Sequence, residues 1–137
     1  MPVRGRVIAC VSPNAGYPNS GLVMAHAFKA LEAGQYDRVI VLTGAHSARF
    51  SGCSIPLVQY YATPLGLVDL DIATCRRLSM SSLVESRSVL YRLTRGGNDK
   101  RLAIHETEHG IEVVLPFLQT TLGNFELVPI VVGDLLD

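Results

Sequence analysis

The chain alternates continuous apolar runs with apolar positions at helical spacing. The run RVIACV, residues 6–11, is rich in β-branched side chains and ends in turn formers at residues 12–16, which predicts a buried strand. After Ser20, a suitable N-cap, apolar residues recur every three or four positions until Gly34, which predicts a helix. The repeating positions of this helix are Leu22, Val23, His26, Ala27, Ala30 and Leu31. The run DRVIVLT, residues 37–43, predicts a second strand, so the three elements form a right-handed, parallel βαβ unit.

The middle of the chain is less regular. Residues 53–70 contain prolines and a glycine among apolar positions, which predicts extended segments joined by turns. Residues 71–78 predict a short helix capped by Asp71. Residues 86–101 carry five basic side chains around Gly-Gly-Asn and predict a hairpin or an exposed, solvated loop.

A helix and a strand are predicted near the end of the chain. From Thr107, apolar residues at helical spacing predict a long helix that stops at Gly123. Pro116 should deny this helix one backbone hydrogen bond and kink it, unless the proline falls in the first turn. The run FELVPIVV, residues 125–132, predicts a third apolar strand. Since few residues follow it, we expect this strand to be incompletely covered and the chain to self-associate. The fold class is therefore α/β, a mainly parallel sheet flanked by helices in a single domain over residues 1–137.

Composition and charge exclude several classes of partner. The chain has 137 residues, 48% of them hydrophobic, and twelve basic residues balance twelve acidic ones. A formal net charge of zero argues against a nucleic-acid partner, which requires a basic face. No apolar run approaches the roughly twenty residues that span a bilayer, so we expect no membrane partner and a cytoplasmic location. The three cysteines are odd in number and far apart, which indicates reduced thiols.

Polar residues follow the first two predicted strands. Ligands of an open parallel sheet gather beyond the carboxyl ends of the strands, so Asn14 and His46 would face one crevice. His109 and Glu112 are three positions apart at the start of the last predicted helix and would share a face. The candidate pocket comprises Asn14, Tyr17, His46, Ser47, His109 and Glu112. Each also has an ordinary role as a turn asparagine, a hydrogen-bonded loop histidine or a group near a helix N-terminus, and spacing alone does not decide between the roles.

Five ordered blocks resemble a known family. The blocks VSPNAGY with SGLVMAHAFKAL, RVIVLTGAHSARFSGCSI, YYATPLGLVDLD, ETEHGIEVVLPFL and FELVPIVVGDL occur in the order and spacing of the Memo-like family. This family is similar in fold to the class III extradiol ring-cleaving dioxygenases, which are non-haem iron enzymes. The family is longer, so the chain resembles a truncated form, its N-terminal half.

The resemblance implies an incomplete metal site. A histidine that binds metal in the first block is replaced by Asn14, whereas the metal-binding histidine of the second block is kept as His46 and followed by Ser47. The fourth block keeps Glu108, His109 and Glu112 but has Gly110 in place of serine and Val114 in place of a second histidine. Because non-haem iron needs three facial protein ligands, the resemblance implies no catalytic residues and no cofactor, with His46 as the retained metal ligand.

Two functions of different classes follow. The first is a non-catalytic binding or scaffold protein in signalling, with a protein or peptide partner. The alternative is a metal-dependent oxidoreductase of dioxygenase-like type, using iron or copper, whose site is completed by another chain or by a missing C-terminal half. The third way to complete such a site is that His46, His109 and Glu112 act as alternative ligands. A third interpretation is a fragment without independent function.

Overall fold

A computed structural model describes residues 5–32, 34–47, 49–84, 91–95 and 98–134. The helices within these ranges are α1 (Tyr17–Lys29), α2 (Ile72–Leu78), α3 (Ile104–Thr107) and α4 (Leu115–Leu122). The strands within them are β1 (Arg38–Gly44), β2 (Cys53–Ser54), β3 (Tyr60–Thr63), β4 (Gly66–Asp69), β5 (Tyr91–Arg95), β6 (Asn98–Leu102) and β7 (Glu126–Val132). The α/β class is confirmed.

The largest described sheet is small and mixed. Strand β7 lies at its centre, parallel to β1 and antiparallel to the short strand β2. The hairpins β3–β4 and β5–β6 form separate two-stranded sheets. The predicted strands at residues 37–43 and 125–132 are confirmed as β1 and β7. The sheet combines one parallel pair with one short antiparallel pair, so a mainly parallel sheet is not confirmed.

The prediction of a buried strand at residues 6–11 is wrong. The segment is irregular, and Ile8 and Val11 are 92% and 98% exposed. A side-chain contact connects this segment to the rest of the chain, where a strand would have backbone hydrogen bonds. The hydroxyl of Tyr36 donates to the Val7 carbonyl at 2.6 Å. The predicted βαβ unit is therefore not formed, and the parallel partner of β1 is β7.

Helix α1 starts earlier and buries a different face than predicted. Gly16 precedes its first turn, and the hydroxyl of Ser20 donates to the Ala15 carbonyl at 2.7 Å, so Ser20 is not the N-cap. The helix ends at Lys29, before Gly34. Its buried positions are Ser20, Met24 and Phe28, whereas Leu22, Val23 and His26 are exposed. The larger side chains decide the face, because the ring of Phe28 stacks on Phe117 of α4 at 5.9 Å.

The elements of the middle region agree with those predicted from the sequence. Asp71 caps α2, accepting the Thr74 amide at 2.8 Å as predicted. Residues 53–70 form short strands joined by turns, and the basic segment forms the hairpin β5–β6. Residues 85–90 and 96–97 of that segment lie outside the described residues.

The long helix predicted from Thr107 is wrong. Residues 108–114 have no α-helix, and α4 begins at Leu115 with Pro116 in its first turn. Proline lacks an amide hydrogen and clashes within a helix interior, so the helix begins where its ring is tolerated. His109 and Glu112 consequently lie in a turn and do not share a helix face.

The core lies between β7 and the helices α1 and α4. Leu127, Val128 and Val131 of β7 are fully buried, so the prediction that this strand is incompletely covered is wrong. The exposed apolar side chains of the sheet are on β1, at Ile40 and Leu42. No helix of the described ranges combines the length and apolar character needed to cross a membrane.

Candidate functional site

The loop after β1 is held by a buried carboxylate. Glu108 accepts the backbone amide of His46 at 2.8 Å and that of Ser47 at 2.7 Å. Its side chain is 1% exposed. Hydrogen bonds from two amides to one ionised carboxylate are strong, and they compensate part of the cost of burying the charge. These two hydrogen bonds therefore fix the backbone of His46 and Ser47 where the chain leaves β1.

Two imidazole rings, those of His46 and His109, lie next to each other near this carboxylate. The ring centroids of His46 and His109 are 5.1 Å apart and their planes are tilted by 38°. Nδ1 of His46 is 3.6 Å from Oε2 of Glu108. Both histidine residues are exposed to solvent.

Asn14 lies at the same end of the sheet but uses its amide internally. Its Nδ2 donates to Oγ1 of Thr43 at 2.7 Å, and Thr43 is buried at the end of β1. Gly110 leaves the room for this contact, because a Cβ at that position would meet Thr43 Oγ1 and would lie 2.6 Å from Asn14 Nδ2. The turns that carry Asn14 and His46 thus converge on Thr43 and Gly110.

The two remaining predicted pocket residues are positioned by other contacts. Tyr17 opens α1, is half-exposed, and directs its ring against Phe117 at 5.8 Å in an edge-on arrangement. Glu112 is exposed in the turn before α4 and lies within electrostatic range of Tyr61. The structure therefore places Asn14, His46, Ser47 and His109 at one end of the sheet, whereas the contacts given for Tyr17 and Glu112 are with other residues.

A buried tyrosine–histidine pair was not predicted. His105 Nε2 lies 3.0 Å from the Ser54 carbonyl, which can only accept, so this nitrogen carries the proton. Nδ1 then accepts the Tyr61 hydroxyl at 2.7 Å. Burial lowers the pKa of His105, and burial, reinforced by Cys75 and Glu112, raises the pKa of Tyr61. Both shifts favour the neutral forms, which suits a structural contact between β3 and α3.

Three further residues of the site were missing from the predicted pocket. Thr43 lies in β1 on the inward side that it shares with Val39 and Val41. Glu108 lies after α3, outside a helix or strand, where no spacing in the sequence shows which way a side chain points. Gly110 did carry a signal, because it replaces the serine of the block that the chain resembles. Across the described ranges, no three His, Cys, Asp or Glu side chains are grouped to hold a metal.

Comparison with known proteins agrees with the resemblance seen in the sequence. A family model described as Memo-like protein matches residues 3–135. The chain is 32% identical over 136 residues to a protein memo-1 homolog of Caenorhabditis elegans, which covers 98% of this chain and 35% of that protein.

Archaeal relatives match to a similar extent. A MEMO1 family protein of Methanopyrus kandleri is 36% identical over 122 residues, covering 88% of this chain and 38% of the relative. A MEMO1 family protein of Sulfolobus acidocaldarius is 40% identical over 124 residues, covering 89% of this chain and 39% of the relative. The chain thus spans well under half the length of these relatives. Because the family model matches nearly all of its residues, the chain belongs to the Memo-like family.

Proposed function

We propose that this Memo-like chain is a non-catalytic binding or scaffold protein in signalling, and that a protein or peptide partner contacts the crevice at Asn14, His46, Ser47 and His109. The observation that carries the proposal is the inward use of the polar groups beneath the crevice. Glu108 binds two backbone amides and Asn14 binds Thr43, so these groups support the loops and the two imidazoles face outward.

The donor set does not fit a facial iron site. Such a site needs three protein ligands that leave neighbouring positions open to substrate and oxygen. The amide nitrogen of Asn14 is a donor engaged by Thr43, and the carboxylate oxygens of Glu108 are engaged by the amides of residues 46 and 47. His46 and His109 remain, and two imidazoles fall short of the three ligands.

The same arrangement suits recognition of a polypeptide. The loop that presents His46 and Ser47 is already ordered by Glu108, so less conformational entropy is lost when a partner binds. Exposed imidazoles and a hydroxyl can both donate and accept hydrogen bonds, as the amides and carbonyls of a peptide require. The three free cysteines support the cytoplasm, a reducing compartment, as the place of action.

The proposal is tested by peptide binding with matched histidine variants. A peptide array is probed with the wild-type chain, with the double variant His46→Ala/His109→Ala, and with His26→Ala, which removes an exposed histidine from α1. We expect binding that the double variant loses and that His26→Ala keeps. Equal binding by all three proteins, or none by the wild type, would refute a role for the crevice.

The proximity of His46 and His109 favours one second candidate. In it, the chain is part of a metal-dependent oxidoreductase with a dioxygenase-like fold, in which the two imidazoles bind iron or copper. The remaining ligands would come from another chain or from a C-terminal portion such as the longer relatives contain. Metal analysis of untagged protein separates the candidates. Stoichiometric iron or copper that is lost in His46→Ala would support the enzyme and contradict the scaffold.

A further inference from the structure

A segment of the chain lies beside the free edge of β1 without pairing to it. Residues 7–12 and β1 line one groove of about 660 Å³. Within the described ranges β1 pairs with β7 alone, and no backbone hydrogen bond joins β1 to residues 7–14. Apolar side chains of both walls are open to solvent, since Ile8 is 92% exposed and Ile40 is 54% exposed. Residues 8–13 are called the strap below.

Side-chain hydrogen bonds tie the strap to both ends of β1. At the start of β1, the Tyr36 hydroxyl donates to the Val7 carbonyl at 2.6 Å. At its end, Nδ2 of Asn14 donates to Oγ1 of Thr43 at 2.7 Å. The strap therefore runs in the same direction as β1, and neither end of the strap can leave this edge while the two hydrogen bonds hold.

These tethers also keep a constant register. Each of them joins residues 29 positions apart, and so does a third hydrogen bond, from Arg6 to the Gln35 carbonyl at 3.4 Å. A constant separation leaves residues 8–13 opposite residues 37–42, so neither side has a residue to spare. The parallel pair β1–β7 keeps a constant separation of the same kind along its whole length. The strap is thus in register for parallel pairing with β1.

The register decides which side chains of the strap would turn toward the core. The inward residues of β1 are its odd-numbered positions, such as Val39. Residues that lie opposite each other on paired strands share a face, so Ile8 and Cys10 belong to the inward side. Pairing would place Cys10 opposite Val39. It would also move Ile8 out of water toward Phe28 and Leu31, which line the same groove.

We propose that the strap closes onto β1 as a parallel edge strand, and that the groove is the open form of this sheet. Closing pairs the bare backbone edge of β1 and removes apolar surface of both walls from water. The tethers fix the ends of the strap, so closing costs little loop entropy. The β-branched residues of the run RVIACV, residues 6–11, favour an extended strand. This inference is independent of the proposed function, because residues 8–13 include no residue of the crevice.

Disulfide trapping in the full chain tests whether the groove closes in this register. Val39→Cys places a thiol opposite the native Cys10, and Cys53→Ser removes the other thiol that is not buried. A disulfide holds its two Cβ atoms about 4 Å apart, so it forms only when the groove closes at this point. Ile40→Cys is the matched control, because it moves the thiol to the outer face of β1.

Under the same mild oxidant, Val39→Cys should form the cross-link to Cys10 about tenfold faster or more than Ile40→Cys, because only position 39 has the required geometry. Equal rates for the two variants, or no cross-link at position 39, would overturn the proposed register and the closure with it.

Backbone amide exchange tests whether the closed strap is a strand. In the wild type, amides of residues 8–12 should exchange about tenfold more slowly, or slower still, than freely exposed amides. Ile8→Asp should return them to the free rate, because the inward side would bury a carboxylate. Position 8 is exposed in the open form, so this variant should fold. Met80→Asp is the matched control and should keep the protection, because Met80 is 85% exposed and lies outside the groove.

Free exchange of residues 8–12 in the wild type would overturn the closure. Protection that survives Ile8→Asp, or that Met80→Asp removes equally, would overturn it as well, since the slow exchange would then not come from packing of the strap against β1.

Discussion

At the scale of single residues, two departures from the family pattern fit each other physically. The resemblance implies histidine at position 14 and serine at position 110, and the chain has asparagine and glycine. A Cβ at Gly110 would collide with Thr43 and Asn14, the pair joined by a hydrogen bond of 2.7 Å. Both departures could be read from the sequence. Their contact could not, because it depends on how two distant turns meet at the end of β1.

Restoring the serine should therefore destabilise the chain, and Asn14 should account for part of the cost, since Thr43 is the nearer neighbour of the added Cβ. We expect Gly110→Ser to lower the free energy of unfolding by about 1–3 kcal/mol, as overpacking at a close contact does. In an Asn14→Ala background the cost should fall, because Nδ2 no longer occupies the space. Urea denaturation of the two single variants and the double variant measures the coupling. Strictly additive effects would show that the contact does not limit this position.

His105 should make stability depend on pH. Burial lowers its pKa in the folded chain, so the unfolded chain binds the proton more readily. The stabilising contribution is complete above the unfolded pKa of about 6.5 and is lost as pH falls below it, by at most about 1.4 kcal/mol per pH unit. Urea denaturation between about pH 8 and about pH 5 should show this slope in the wild type and a flatter one in His105→Gln. His26→Gln changes an exposed histidine and should keep the wild-type slope. Identical slopes for all three proteins would contradict the assignment.

At the scale of elements, local sequence signals predicted helices and strands more accurately than they predicted how these elements pack or pair with one another. The cap at Asp71 acts within a few residues, so α2 follows from the sequence. The start of α4 was predicted at Thr107 instead of Leu115, although the restriction that Pro116 places on a helix interior was visible. The repeat of α1 is compatible with two faces, and packing of Phe28 on Phe117 selects one of them. Residues 6–11 have the composition of a strand, but composition does not show whether a neighbouring strand provides hydrogen bonds.

The buried face of α1 can be tested by paired truncations. Met24 is fully buried and Leu22 is 76% exposed, although both are large apolar residues of the same helix. Met24→Ala should cost about 2–5 kcal/mol of unfolding free energy because it opens a cavity in the hydrophobic core. Leu22→Ala should change the stability by no more than about 0.5 kcal/mol. Thermal and urea denaturation of both variants measure these losses. A larger loss of stability for Leu22→Ala than for Met24→Ala would support the face predicted from the sequence instead.

At the scale of the whole molecule, β7 and Asp71 connect the parts. Strand β7 separates β1 from β2, and this order could not be predicted because β2 has only two residues. Asp71 links three elements: its amide donates to the Leu127 carbonyl at 3.0 Å, its carboxylate caps α2, and Arg38 of β1 forms an ion pair with it. The cap was visible in the sequence, whereas the two long-range contacts needed the fold.

Asp71 should consequently contribute to the acid sensitivity of the whole chain. Hydrogen bonds from the side chain and amide of Thr74, reinforced by Arg38, lower the pKa of its carboxyl group in the folded state. The contribution is present above the unfolded pKa of about 3.9 and is lost as pH falls through the lower folded value. We expect Asp71→Asn to lower the melting temperature at neutral pH and to flatten its decline in acid, because the asparagine amide does not titrate. Asp69→Asn, an exposed change at the end of β4, should leave both unchanged. If the acid decline of Asp71→Asn equals that of the wild type, the carboxylate is not the group that couples these three elements to pH.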